Sequence, residues 1–422
     1  MKRKKKVLIL TSTFPRWNND KTPPFILHLA RHLQRYFKVF VIAPHFPGAK
    51  TKEKLGEIEI YRFRYFLDPL EKLCYEGGGF SKVRKNLWLN FLLPFYFIAA
   101  FVSTLILVRK KKIELINAHW VLPQGLIAVL MKKLTKTPVL ITIHGTDVFG
   151  LRNFFFVLLK KYALNLVDSI FTVSQRLKEE VDKLISHKSR KIKVVSMGVD
   201  INYFRRQATK NKFLIKSKYG MKRKIVVFVG RLVETKGVNY LIDAIAKVKE
   251  KFPSILLLVV GEGPLRRNLE KQAKESHLQE NIHFLGWIDN RDLPGFYGAA
   301  DVFVSPAFES SAGSEGLGLT FVEALASGTV VVGTKVGGIE DIIKDKQNGF
   351  LVPPGDPHKL AEAIIKILAS VNLQRRLKSN SLKFIKERFD WKIIAKKYQK
   401  EIKEIISRYE FQKNNNWNSD SS

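Results

Sequence analysis

Cysteine is almost absent from this sequence. Cys74 stands alone, which excludes an internal disulfide and any zinc site built on thiolates. A reducing, cytoplasmic setting is the expectation that follows. No apolar run with a small-residue cleavage site opens the chain; VLIL at 7–10 is too short for a signal-peptide core and reads as a strand. Acidic residues are scarce as well. Only 38 Asp and Glu stand against 73 Lys and Arg, a net charge of +35. No two aspartates lie two residues apart, so there is no Asp-x-Asp pair to hold a divalent cation, and no metal is expected. The charge has three competing readings: nucleic acid, an anionic membrane surface, or a lysine-biased composition without a partner. No zinc-finger, RRM-like or basic-zipper pattern accompanies it, so nucleic acid is not an expected partner. Basic clusters at 2–6 and 109–112 suit an anionic membrane surface, and the sequence does not separate that from composition alone.

Long apolar runs are equally few, and one stands out. Residues 86–108 carry no charge, between Lys85 and the basic run 109–112. At about 1.5 Å per residue such a helix reaches across a ~30 Å hydrocarbon core. Asn86, Asn90 and a central Pro94 speak against a span. Topology speaks more strongly, because apolar strands lie before the segment (7–10, 39–42) and after it (115–118, 139–143). If these share one sheet, the helix cannot cross a membrane. A helix packed on the sheet or lying in the membrane interface is expected, on a protein peripheral to the inner face of the membrane.

What the sequence does have is a regular rhythm. Short apolar runs alternate with helical patterns, the signature of parallel sheets with right-handed crossovers. The hydrophobic fraction of 45% supports packed cores, and the length suits two domains of about 150–200 residues. The rhythm restarts after a polar stretch at 205–224. The expected fold class is therefore α/β, with two doubly wound domains at 1–204 and 205–390. A helix near 391–410 is expected to pack back on the first, and 411–422 to form a disordered polar tail. In such sheets ligands bind beyond the carboxyl ends of the strands.

Two loops carry the chemistry. SEGLGLTFVEALASG (314–328) opens a helix with glycines, and a helix start offers N–H groups and a positive dipole end to an anion. Glu315 precedes that start and Glu323 lies inside, ~12 Å apart along the axis. That spacing suits one carboxylate on sugar hydroxyls and the other on a ribose, with a diphosphate between. Alone, the motif reads equally as a capped amphipathic helix with solvated glutamates. The second loop, GRLVETKG (230–237), places Arg231 and Lys236 at a strand end, where they could neutralise a departing diphosphate without a metal. Any single cation in so basic a chain reads equally as surface charge.

Taken together, GRLVETKG, VGEGPLR, VSP, SEGLGLTFVEALASG, VVGTKVGGIEDII and NGFLVPPGD resemble glycosyltransferase family 4. TSTFPRW, NAHWVLPQG, ITIHGTDVF and MGVD resemble its N-terminal domain. The resemblance spans nearly the whole chain. It implies a GT-B fold, two Rossmann-like domains facing across a cleft, and retaining transfer of a hexose-type sugar. The donor would be a nucleoside-diphosphate sugar and the acceptor a glycan or lipid-linked hydroxyl, as in cell-surface polysaccharide assembly. Carried over, it makes Glu315 a contact to the donor sugar and Glu323 a contact to the ribose. Arg231 and Lys236 take the diphosphate, while the backbone of Gly316, Leu317, Gly318 and Leu319 touches phosphate and sugar. His144, three residues before Asp147, matches the histidine facing the reacting sugar. His119, Ser12 and Thr13 fall on the acceptor side. The first loop departs from the pattern: TSTFPRWNNDKTPPF has none of the glycines many relatives carry there.

No carboxylate stands out as a nucleophile, so front-face attack is expected, resting on positioning and charge stabilisation. Three rivals differ in class. VVGEGPLRRN imitates a dinucleotide fingerprint at Gly261 and Gly263 but places Arg266 where a third glycine belongs, which counts against an oxidoreductase. A nucleotide-sugar epimerase of related fold is the second. A non-catalytic carbohydrate-binding or membrane-scaffold protein is the third, and the full set Arg231, Lys236, Glu315 and Glu323 argues against it.

Overall fold

The structure is a computed structural model and describes residues 3–18, 20–75, 87–150, 153–185, 192–310 and 314–419. The chain forms two compact units. One comprises Met1–Val173, Leu177–Val195 and Ile394–Ser422, the other Ser174–Arg176 and Ser196–Ile393.

The first unit is built on eight strands: β1 (Lys6–Leu10), β2 (Lys38–Pro44), β3 (Lys52–Leu55), β4 (Ile58–Phe63), β5 (Leu115–His119), β6 (Val139–Ile143), β7 (Ser169–Thr172) and β8 (Ile192–Val194). Their order is β3-β4-β2-β1-β5-β6-β7-β8. Only β3 runs antiparallel, a polar edge strand against β4. The central strands are buried on both faces and rich in Val, Leu and Ile, as a parallel sheet sandwiched by helices requires. β1 pairs with β2 through Val7–Val39 to Leu10–Ile42, and with β5 through Val7–Leu115 to Leu10–Ala118. From β1 the chain winds outward one way, and from β5 the other. The switch point lies between those two strands.

That pairing decides the long apolar helix, Leu87–Lys111, which is the crossover between β4 and β5 of one sheet. It is long and apolar enough to cross a membrane, but a span would hold those strands apart. Its first expected residue, Asn86, lies outside the described residues. Leu92, Tyr96, Ala100, Thr104 and Val108 face the core, whereas Phe91, Phe95, Ile98, Val102 and Ile106 are exposed. Both faces are apolar, so the sequence pattern could not say which one packs.

The last helix, Trp391–Ser419, buries Tyr398, Ile402 and Ile405 in the first unit, with the Tyr398 ring edge-on to Phe171 at 4.8 Å. The tail expected to be disordered from 411 is helical as far as Ser419, with Phe411 and Lys413 exposed. A helix already nucleated by packing extends at one hydrogen bond per residue, even where its side chains touch nothing.

The second unit has six parallel strands in the order β11-β10-β9-β12-β13-β14: β9 (Ile225–Val229), β10 (Leu256–Val260), β11 (Ile282–Gly286), β12 (Val302–Ser305), β13 (Val330–Thr334) and β14 (Phe350–Val352). Its switch point falls between β9 and β12. Arg205, read as the domain boundary, lies inside a helix, Ile201–Tyr219, that belongs wholly to this unit. Asp200 caps that helix by accepting from Tyr203 N at 2.9 Å. Its Ala208 sits so close to Gly298 that a Cβ there would fall 2.8 Å from the Ala208 Cβ.

The two faces of the Leu87–Lys111 helix make a direct test. Leu92→Ala should destabilise the protein by about 2–5 kcal/mol, as core truncations do, and Ile98→Ala, on the exposed face, by at most about 0.5 kcal/mol. Denaturant unfolding followed by circular dichroism reads both. Equal losses would mean that the helix does not pack on the sheet through the Leu92 face.

Candidate active site

In both units the polar side chains of interest gather at the switch point, on loops leaving the carboxyl ends of adjacent strands. In the second unit, the loop after β9 carries Arg231 and Lys236, and the loop after β12 carries Glu315. Lys236 Nζ donates to Glu315 Oε2, closing a part-buried ion pair between residues 79 apart in sequence. Arg231 is exposed and makes no ion pair among the described residues. Glu315 is held by backbone: its carbonyl accepts from Gly338 N at 3.1 Å. At Gly337, with φ +57, a Cβ would fall 2.0 Å from that same oxygen.

The helix Leu319–Ala326 begins at Gly318, whose φ of +86 is left-handed and whose cap lacks any side-chain oxygen. Leu317 packs inward, so it has only backbone to offer the loop surface. Glu323, one turn into the helix, accepts from Tyr297 OH at 2.9 Å. Burial pushes its carboxyl up to about 7, although Tyr297 opposes that. The arrangement thus provides two carboxylates, a lysine, an arginine and a glycine-capped helix start on one sheet edge. That is a set of donors for an anion and acceptors for hydroxyls.

The loop that imitates a dinucleotide fingerprint does other work. Leu232 N donates to Glu262 O and Leu265 N to Leu232 O, locking the β9 and β10 loops together. A Cβ on Gly263 would fall 2.3 Å from Leu232 O. Arg266 pairs with Glu262 and, at 2.8 Å, with Glu270 on the surface. The glycines serve loop-to-loop packing.

In the first unit His144 follows β6 and His119 ends β5. Their rings lie nearly parallel, 18° apart, with His119 Nδ1 2.9 Å from His144 Nε2. Phe25 at 5.2 Å and Trp120 at 4.8 Å close around the His144 ring, while part of it remains exposed. Burial pushes His144 down to about 3 and His119 well below its ordinary value, so both are neutral at physiological pH. His119, expected on the acceptor side, is fully buried and touches His144 instead; it can orient, not receive. Asp147, read as a companion of His144, accepts from Val121 N at 3.0 Å and Gly145 N at 2.9 Å and staples the loop. Ser12 and Thr13 follow β1, one strand over, and are partly exposed. The glycine-free first loop takes its shape from Arg16, which grips Asp20 at 2.7 and 2.9 Å and lies against Trp17, Phe46 and Tyr75.

Sequence reasoning missed Tyr297, Trp120 and Gly337. Trp120 holds a left-handed φ of +72, fixed by Trp120 N to Thr142 O at 2.9 Å. Trp120 and Gly337 lie inside motifs already singled out; nothing near Tyr297 marks it. Among the described residues, His45, Asp68 and Glu71 bring possible metal-ligand atoms together. Their atoms are committed: Glu71 receives His45, Arg64 at 2.9 Å and Tyr65 N at 2.6 Å, and His45 Nε2 meets Ala49 O at 2.8 Å.

Comparison with known proteins follows this division. A model described as Glycosyltransferase Family 4 matches residues 24–203, and one described as Glycosyl transferases group 1 matches residues 209–384. An uncharacterized glycosyltransferase of Methanocaldococcus jannaschii is 30% identical over 301 residues, 70% of this chain and 77% of that one. Sucrose-phosphate synthase from Thermosynechococcus elongatus superposes with a TM-score of 0.79 at 22% identity, covering 96% of this chain and 100% of that one. Anabaena HepE in complex with UDP-glucose does so at 0.71 and 19%, covering 96% and 99%. With two parallel-sheet units of GT-B type and that relationship in sequence, the chain belongs to glycosyltransferase family 4 and is a glycosyltransferase.

Proposed function

We propose that this enzyme transfers a hexose-type sugar from a nucleoside-diphosphate sugar to a hydroxyl of a glycan or lipid-linked acceptor, with retention and without a metal. The observation that carries the reading is the Lys236–Glu315 pair beside the glycine-capped helix start, with Arg231 uncommitted on the same loop. An arriving diphosphate would take Lys236 and free Glu315 for sugar hydroxyls. Arg231, Lys236 and the helix N–H groups would then stabilise the charge that grows on the leaving group. Glu323 would hold the ribose and His144 a hydroxyl of the reacting sugar. The UDP-glucose complex of Anabaena HepE supports a nucleotide-linked donor.

The acceptor side points to a membrane surface. Phe91, Phe95, Ile98, Val102 and Ile106 are exposed along one helix, and Phe154, Phe155, Leu158 and Tyr162 along another, Phe154–Leu166. The helix Leu126–Thr135 packs against both. Arg109, Lys110, Lys133 and Lys136 rim these helices. Such a face suits the anionic, cytoplasmic leaflet, where each nearby basic residue contributes about 1 kcal/mol.

Four outcomes test this reading. A panel of nucleoside-diphosphate sugars screened by thermal shift should identify the donor. Affinity for that donor should then fall as pH drops below about 7, because ribose hydroxyls bind the ionised carboxylate of Glu323 and protonation competes. Glu323→Gln should lose that pH dependence; an unchanged profile would remove Glu323 from the ribose. Turnover should survive exhaustive chelation, and complete loss restored by magnesium or manganese would overturn the metal-free clamp. High salt should release the protein from anionic vesicles, with Phe95→Glu and Phe155→Glu weakening binding at least tenfold; retention of both variants would sink the membrane face.

A further inference from the structure

Five polar side chains run in an unbroken line through the interior of the first unit. His119 Nδ1 lies 2.9 Å from His144 Nε2, and Asn117 Nδ2 lies 3.3 Å from His119 Nε2. Thr142 Oγ1 is 3.2 Å from Asn117 Oδ1 and 3.0 Å from Tyr398 OH. Asn117, His119, Thr142 and Tyr398 are all fully buried, amid strands otherwise filled with Val, Leu and Ile. The last link comes from the opposite end of the chain.

Two proton arrangements satisfy every interior link. In one, Tyr398 donates to Thr142, Thr142 to the Asn117 carbonyl oxygen, the Asn117 amide to His119 Nε2, and His119 Nδ1–H to His144 Nε2. His144 then carries its proton on Nδ1. In the other, the Asn117 amide is turned over, so that its oxygen accepts from His119 Nε2–H and its NH2 donates to Thr142; every other bond is reversed and His144 carries its proton on Nε2. The ends of the line decide between them. Among the described residues the Tyr398 hydroxyl meets only Thr142, so the reversed order would strand a buried O–H without an acceptor, which folded proteins avoid. The forward order gives both hydroxyls and the His119 N–H an acceptor. Its outermost donor, His144 Nδ1–H, sits on the one ring of the line that is partly exposed. Burial keeps both imidazoles neutral, so each holds one proton and the line has one sense.

We propose that Asn117, His119, Thr142 and Tyr398 are positioning residues that lock His144 in its Nδ1–H tautomer, making it a hydrogen-bond donor toward a lone pair on a sugar hydroxyl. The second half of this statement rests on the assignment of His144 to the reacting sugar; the tautomer does not. A ligand that offers only a donor at that position would be rejected.

The full chain labelled with ¹⁵N-histidine provides the test. Two-bond proton–nitrogen correlations identify which ring nitrogen is protonated, and His144→Gln identifies the His144 signals by their loss. The wild type should show a protonated Nδ1 and a bare Nε2. Tyr398→Phe keeps the edge contact with Phe171, and Thr142→Val keeps the shape of the strand. Thr142→Val removes the hydroxyl that joins Tyr398 to Asn117 and should lower the Nδ1–H preference by roughly fivefold, the equivalent of one neutral hydrogen bond; Tyr398→Phe should lower it less, because the reversed order then strands the Thr142 hydroxyl instead. A wild type protonated on Nε2, or a tautomer unmoved in both variants, overturns the relay. Thr142→Val should also lower kcat by about threefold to tenfold with donor KM unchanged. A shifted tautomer with unchanged kcat would keep the relay and overturn the assignment of His144 to the reacting sugar.

Discussion

The pairing of strands from distant parts of the chain at each switch point is the constraint on which the rest depends. In the first unit β1 must lie beside β5, which brings residues 7–10 against 115–118. In the second, β9 must lie beside β12. Because the strands are parallel, the loops that follow them emerge at the same edge, and helices winding away in opposite directions leave that edge uncovered. Lys236 meets Glu315, and Phe25, at the end of the first loop, meets His144, for this reason. The same pairing presses the Leu87–Lys111 helix onto the sheet, although its composition would equally suit a lipid bilayer.

Electrostatics then divides the labour. The chain carries a large excess of positive charge, yet a carboxylate holds Lys236 in place while Arg231 on the same loop stays uncommitted. A cation paired in this way is oriented in advance. Glu323 is a different case, since it faces a phenol and not a cation. Burial without a counter-charge raises its carboxyl toward neutrality.

Much of this was legible in one dimension. Alternating apolar runs and helical patterns announced two doubly wound halves, and the glycine-rich loops with their neighbouring cations stood out as the loops that the fold gathers at the second switch point. The polar edge strand Lys52–Leu55 was not legible, because KEKL has no apolar alternation to show and is held only by its pairing with β4. The helix Ile201–Tyr219 was hidden in what read as a polar stretch at 205–224, since its charged residues face water and only a few positions such as Ala208 face the unit it caps. The tail from 411 looked disordered, since composition cannot report a helix that packing upstream has already nucleated.

By itself, then, the sequence determined which residue types stand at the strand ends, because periodicity and glycine placement are local properties of a chain. Only the tertiary structure decided who meets whom. His119 and His144 were read as two separate candidates, and the fold makes one buried and one partly exposed end of a single hydrogen-bonded line. Tyr398 and Tyr297 had no mark at all, for their partners lie 256 and 26 residues away. Hydrogen bonds between such distant positions depend on where parallel strands and their crossovers place them in space, and no local pattern in the sequence encodes that distance.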